Sequence, residues 1–231
     1  VKLGKMDYAD ALALQEALMN KHQKKNAEQT LLLVEHPPVL TLGLRGEYSN
    51  ILLPRKELEK NGVGVYKVNR GGDVTYHGPG QLVGYPIMDL TKLNRTVKGF
   101  VWKLEEIFIR LLSEKYKIMA YRGDKKHTGV WVENEKITAI GIVIKRWITM
   151  HGFAFNVNTQ LEHFNWINPC GITDKGVTSL QKLLREPLDF DKVTQEIAEY
   201  FCEIFDLEPV YVDKDTIIQE VDICNSESQN G

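Results

Sequence analysis

Between Arg70 and Pro86 the chain places five glycines and two prolines in seventeen positions, beside one Arg, one Asp, one His and two Tyr. Glycine admits positive φ and lets a backbone approach a ligand closely, and each glycine weakens a regular helix or strand. A stretch of this composition is excluded from a helix interior and reads as tight turns between short strands. Gly71-Gly72 turns sharply after an extended run, Gly64–Asn69, and Val74-Thr75-Tyr76 resumes a strand. His77-Gly78-Pro79-Gly80 then holds a rigid loop that displays its imidazole at the rim. Taken alone, the stretch is equally a glycine-rich hairpin with a structural histidine.

Bulk composition narrows the classes. With 231 residues, 43% of them hydrophobic, the chain can bury one sizeable core. The expected organisation is a single catalytic domain over 1–212 and a partly flexible tail over 213–231. Twenty-nine basic residues against 31 acidic ones leave no global basic field, which argues against nucleic acid as a partner. No apolar run approaches the roughly 20 residues of a membrane helix; the longest, Ile137–Ile144, contains Thr and Gly. The first residues lack the apolar core of a secretory signal. Three dispersed cysteines, Cys170, Cys202 and Cys224, fit free thiols in a reducing compartment. A cytoplasmic protein is expected, or one of an organelle matrix if a transit peptide had been removed. No His/Cys spacing suggests a zinc site, and no metal is expected.

Along the chain, Asp7 can cap a helix over Tyr8–Lys24 with Ala11, Leu14 and Leu18 on one stripe. Thr30–Val34 reads as a buried strand ending at Pro37-Pro38, and Val39–Leu42 as another. Gln81–Leu90 reads as a strand closing the glycine-rich region. Val97, Val101, Leu104, Phe108 and Leu111 mark the clearest amphipathic helix, with Thr96 as its cap. Thr128–Glu133, Lys136–Ile144 and Trp147–Val157 form a meander of β-branched strands. A last helix over Asp191–Phe205 precedes an edge strand, Pro209–Val212, and a disordered end from Asn225. Strands in runs, with helices between the runs, give an α+β fold with mixed and antiparallel sheets flanked by helices.

Cys170 sits in Asn168-Pro169-Cys170-Gly171, a stiffened loop that displays its thiol, and local sequence leaves a nucleophile and an inert thiol both open. Cys202 and Cys224 read as inert. A nucleophilic thiol needs a partner that favours thiolate and shuttles a proton. Candidates are His77, His127, His151, His163 and Lys136. By spacing alone Lys136 reads first as an ordinary strand-end lysine; drawn under the glycine-rich loop, desolvation would make it usable as acid and base. Lys125-Lys126 and Lys145-Arg146 could dock an acidic protein, although such pairs usually belong to a solvated face.

A set of motifs in order then becomes specific: RGGDVTYHGPGQLVGYP over Arg70–Pro86, TGVWV over Thr128–Val132, KITAIGI over Lys136–Ile142, HGFAFN over His151–Asn156, and PCGI with VTSL over Pro169–Ile172 and Val177–Leu180. Together they resemble the lipoyl(octanoyl) transferase family from about Leu3 to Leu207. The one departure lies after Thr41-Leu42-Gly43, where Leu44-Arg45 stands in place of an immediate basic residue, which leaves the role of Arg45 open.

The resemblance implies the catalytic fold of biotin and lipoate protein ligases, without a cofactor. It implies movement of an octanoyl group from octanoyl-acyl carrier protein to a lysine of lipoyl domains, in 2-oxoacid dehydrogenase complexes and the glycine cleavage H protein. By motif, Cys170 would be the acyl-thioester nucleophile and Lys136 its acid/base partner. Arg70, Gly71, Gly72, Asp73, Val74, Thr75, Tyr76 and His77 would line the acyl pocket, closed by Ala139-Ile140-Gly141 and Gly152-Phe153-Ala154. A monomer is the expected state. The rivals are an ATP-dependent lipoate or biotin ligase of the same fold, and a non-catalytic acyl-carrier-binding protein.

Overall fold

The computed structural model describes residues 1–24, 27–93, 96–124, 127–168 and 175–229. Strand β1 (Lys2–Lys5) leads into helix α1 (Tyr8–Gln23), where Asp7 occupies the N-cap position without a side-chain capping bond. Two apolar strands follow, β2 (Thr30–Glu35) and β3 (Val39–Leu42), separated at Pro37-Pro38, where neither residue can donate to a ladder. The short helix α2 (Arg55–Lys60) precedes β4 (Gly64–Lys67), β5 (Val74–His77) and β6 (Gln81–Ile87). Helix α3 (Val97–Tyr116) ends on Lys117 at φ 57° and is followed by β7 (Tyr121–Arg122) and β8 (Gly129–Val132). The long hairpin β9 (Glu135–Lys145) and β10 (Ile148–Asn156) turns through Arg146 and Trp147 at φ 52° and 69°. Two residues with positive φ match the right-handed twist of paired strands, which makes this two-residue turn the natural one. After β11 (Gly176–Val177) come helices α4 (Leu180–Leu184), α5 (Phe190–Phe205) and α6 (Lys214–Gln229).

The larger sheet runs β1-β2-β6-β10-β9-β8-β7, with β11 beside the start of β9, and a second sheet runs β4-β3-β5. β1 with β2, β11 with β9, and β4 with β3 are parallel, and the other pairs are antiparallel. The expected α+β class with mixed sheets is therefore the observed one.

Alternation along β6 and β10 assigns the two faces of the large sheet. Phe153 and Phe155 point to α3 and α5, where Phe108 meets them at ring distances of 4.8 and 5.0 Å. Val83, Tyr85 and Ala154 point the other way, in one cluster with Leu14 and Leu18 of α1. A third cluster, with Leu40, Leu42, Val74 and Tyr76, lies under the small sheet.

Three expectations change. The apolar stripe of α3 does not run its full length into the core: Val97 is exposed and Val101 half-buried, because this end borders a cleft. Pro209–Val212 forms no strand, and Val210 and Tyr211 stand in solvent. The segment past 213 is helical to Gln229, and Ile217 and Val221 bury against α1, so the expected disorder from Asn225 gives way to helix.

Phe108 is fully buried at the meeting of α3 with β10. Phe108→Ala is expected to lower unfolding free energy by about 3–5 kcal/mol, read from the urea midpoint.

Candidate active site

A cleft of about 1420 Å³ lies between the α1 face of the large sheet, the small sheet and the first turns of α3. Its floor is a patch of β9 and β10 where side chains almost vanish. Ala139 pairs with Ala154 and Gly141 with Gly152 in alternate cross-strand positions, with the Ile140–Phe153 pair between them. The size of these residues follows from what lies above and beside them. A Cβ on Gly141 would stand 2.9 Å from the Gly71 carbonyl oxygen, and one on Gly152 would stand 2.0 Å from that of Gly84.

The glycine-rich loop crosses this floor and is tied down on both sides. Gly71 N–H donates to Ile142 O at 3.0 Å, fastening the loop to β9. Beyond β3, Gly43 N–H donates to Asp73 O, Leu44 N–H to Arg70 O and Arg45 N–H to Gly72 O, at 3.0–3.2 Å. Gly72 bends through φ 92° to allow it. This gives Arg45 a role that its backbone performs, while its side chain lines the cleft. Arg70 is buried and acts as a brace. Its Nε and Nη2 donate to Thr41 Oγ1 at 3.1 and 2.8 Å, Nη2 also to Thr41 O at 2.6 Å, and Nη1 to Gly71 O at 3.0 Å. Burial pulls its pKa below the usual value, with Tyr8 and Asp73 opposing, yet a guanidinium stays charged in proteins.

Of the residues that the motifs assigned to the pocket, 70–75, 77, 139–141 and 152–154 line the cleft. Tyr76 is not among the lining residues. It is fully buried in the core of the small sheet, where its hydroxyl lies 2.7 Å from His163 Nδ1. His77 is likewise not displayed at a rim but is only 7% exposed. Its Nδ1 lies 2.8 Å from Gln81 Oε1, and that oxygen only accepts, so Nδ1 carries the proton. Burial, reinforced by His36, lowers the His77 pKa to about 3, which leaves a neutral ring.

Gln81 continues a buried web that spacing did not reveal. Its Nε2 donates to Asn156 Oδ1 at 2.9 Å, and Asn156 Nδ2 donates to Thr178 O at 2.9 Å. Thr178 N–H donates to Lys136 O at 3.0 Å. The glycine-rich loop is thus linked through side chains to the strand that carries the lysine. Nearer α1, His36 Nδ1 donates to Met6 O at 2.7 Å, so its Nε2 accepts from Tyr85 Oη at 2.8 Å. Tyr8 stacks near His77 and, like Tyr85, faces the cleft.

Lys136 opens the other end. Its Nζ donates to Thr128 O at 3.3 Å and lies 4.9 Å from the centre of the Trp131 ring. That indole is oriented by its own Nε1–H bond to His127 O at 2.9 Å, and Lys175 Nζ lies 4.8 Å from the same ring. The lysine is therefore a cleft residue as well as a strand-end one. Cys170, in the stretch 169–174, and the pair Lys125-Lys126 lie outside the described residues. The neighbours of that stretch, Asn168 and Lys175, both line the cleft, and Val177 pairs with Lys136. Cys202 is half-buried on α5, and burial raises its pKa. Among the described residues, no group of three or more His, Cys, Asp or Glu side chains could hold a metal ion, and no helix is long and apolar enough to cross a membrane.

Known proteins carry the same framework. Residues 7–202 match the lipoyl protein ligase A/B catalytic domain. An octanoyltransferase of Desulforamulus reducens is 57% identical over 212 residues, covering 92% of each chain. One of Caldicellulosiruptor saccharolyticus is 53% identical over 224 residues, covering 97% of this chain and 95% of the other. Among solved structures, lipoate-protein ligase A bound with ATP aligns with a TM-score of 0.73 at 15% identity, over 95% of this chain and 92% of that one. Biotin protein ligase from Aquifex aeolicus, in complex with biotin and ATP, aligns at 0.54 and 15% identity, over 89% and 69%. At such identities the solved structures speak for the fold, whereas the match over 7–202 and the two relatives above 50% identity speak for descent: the chain belongs to the lipoyl protein ligase A/B catalytic domain family.

Proposed function

We infer that this chain is an octanoyltransferase of protein lipoylation, which moves an octanoyl group onto a lysine of a lipoyl domain. The observation that carries the reading is the floor of paired Ala and Gly, bounded at one end by Lys136 and by the neighbours of the Cys170 stretch. An alkyl chain needs a dry surface without side-chain bulk, and each methylene buried there contributes roughly 0.8 kcal/mol. The octanoyltransferase relatives supply the name of the group transferred. We propose octanoyl-acyl carrier protein as the donor, and lipoyl domains of 2-oxoacid dehydrogenase complexes and the glycine cleavage H protein as acceptors. The relatives are bacterial, which supports a cytoplasmic setting, and a monomer suffices for the chemistry.

The proposed chemistry has two halves. The thiolate of Cys170 attacks the carrier thioester, the carrier's C–S bond breaks, and its thiol leaves with a proton, giving octanoyl-Cys170. The acceptor lysine then attacks the new thioester as a neutral amine, the Cys170 C–S bond breaks, and the amide forms. Lys136 takes the proton in the step that creates each nucleophile and returns it to each departing sulfur. Thioester exchange is nearly balanced and amide formation from a thioester runs downhill, so neither half consumes ATP. The solved neighbours bound with ATP share only the fold at 15% identity, and the reaction proposed here needs no nucleotide site.

Incubation with octanoyl-carrier protein alone is expected to add one octanoyl mass to the protein, removable by hydroxylamine and absent in Cys170→Ala. An unmodified mass under conditions that support turnover, or turnover dependent on ATP, would overturn the scheme. Lys136→Ala is expected to lower the transfer rate roughly a hundredfold while the thermal unfolding midpoint stays near that of the parent protein. Near-normal turnover would return Lys136 to the role of a strand-end lysine.

A further inference from the structure

His151 occupies the far end of the floor and is held there at a conformational cost. It takes φ 59° inside β10, a left-handed conformation uncommon for a non-glycine residue and most of all inside a strand. Its backbone N–H donates to Gln15 Oε1 on α1 at 3.0 Å. Its ring Nε2 lies 2.7 Å from Asn69 Oδ1, directly before Arg70, while Nδ1 has no partner among the described residues. The ring is 1% exposed and borders the cleft.

The register places this ring relative to Lys136. Gly129 pairs with Ala139, and a Cβ on Gly129 would lie 3.6 Å from Lys136 Cε, so the head of the lysine reaches the level of Ala139. His151 pairs with Ile142, whose carbonyl receives the crossing loop through Gly71 N–H. From Ala139 to Ile142 the strand advances three residues, about 10 Å. An extended octanoyl group has seven C–C bonds of about 1.5 Å in a zigzag, spanning about 9 Å. Two more methylenes would add about 2.5 Å and bring the chain end into the imidazole.

We propose that the His151 ring, clamped by Asn69, is the end stop of the acyl slot and sets the length of chain the enzyme transfers. This deepens the octanoyl-transfer reading and rests on it. The ring meets the terminal methyl as an uncharged group, since burial and then the Arg70 charge hold its pKa down at about 4.

The test is a competition between octanoyl- and decanoyl-carrier protein, with the transferred chain read by intact mass on a lipoyl domain. His151→Asn keeps a residue that tolerates the left-handed backbone and removes the ring. It is expected to raise the decanoyl-to-octanoyl ratio of kcat/KM at least tenfold. Asn69→Ala, which frees the ring to swing aside, is expected to raise it severalfold. A ratio within twofold of the parent's in a folded His151→Asn, with folding checked by thermal unfolding, overturns the proposal. Should that variant not fold, Asn69→Ala decides by the same twofold criterion. Failure of the octanoyl-transfer reading is seen separately, as absence of octanoyl transfer by the parent protein.

Discussion

One backbone hydrogen bond, Gly71 N–H to Ile142 O at 3.0 Å, joins the glycine-rich loop to the strand that carries Lys136, and the site is arranged around it. The bond requires the loop to lie directly on β9, and only the absence of a Cβ at Gly141 lets the Gly71 carbonyl come so close. The same absence makes the floor beneath the loop flat and apolar. The attachment of the loop is therefore a consequence of that one residue. Arg70 completes the arrangement by bracing the loop against β3: its three guanidinium nitrogens donate to Thr41 and Gly71. A guanidinium so occupied is a structural member first. Its place in the cleft wall follows from that bracing.

The second constraint is the buried web from His77 through Gln81 and Asn156 to Thr178. Buried polar groups cost free energy unless they find partners, and a paired web fixes one arrangement in return. Here the web spans the two segments that the proposed chemistry requires to stay in register, the loop over the floor and the strand entry at Lys136. A neutral His77 is part of the logic: a charged ring would leave an uncompensated cation deep in the web, and burial holds its pKa near 3 to prevent that.

How much of this was legible beforehand depended on the kind of signal. Period-two and period-3.6 patterns found the β8–β10 meander and the helices α1, α3 and α5, because burial on one face writes itself into the sequence. The pattern misled at Val97 and Val101, whose apolar character serves a cleft instead of a core. The resemblance, not the pattern, placed Tyr76 in the pocket; alternation along β5 turns it into the core of the small sheet while Thr75 and His77 line the cleft. Helix α6 was missed because its polar end hides a short apolar stripe, Ile217 and Val221, that matters only once α1 stands beside it. Gln81, Asn156 and Asn69 were invisible for a different reason. A carboxamide bonded to a residue 75 positions away, as Gln81 is to Asn156, leaves no periodic trace.

That difference has a physical root that bears on how such a site can vary. Hydrophobic burial is non-directional, so many sequences satisfy it and the patterns that do so are statistical. Hydrogen bonds between buried side chains are directional and depend on tertiary proximity, so their partners must be placed within a few tenths of an ångström by everything else. In this cleft the floor belongs to the first kind and the end wall and web to the second. Floor positions can carry Ala in place of Gly only where no carbonyl stands against them. At the end wall, His151 combines a left-handed backbone with bonds to Gln15 and Asn69 from two other segments, so its position is fixed by three separate parts of the chain. A ring held that way is rigid, and rigidity is the property that a boundary between one chain length and the next requires.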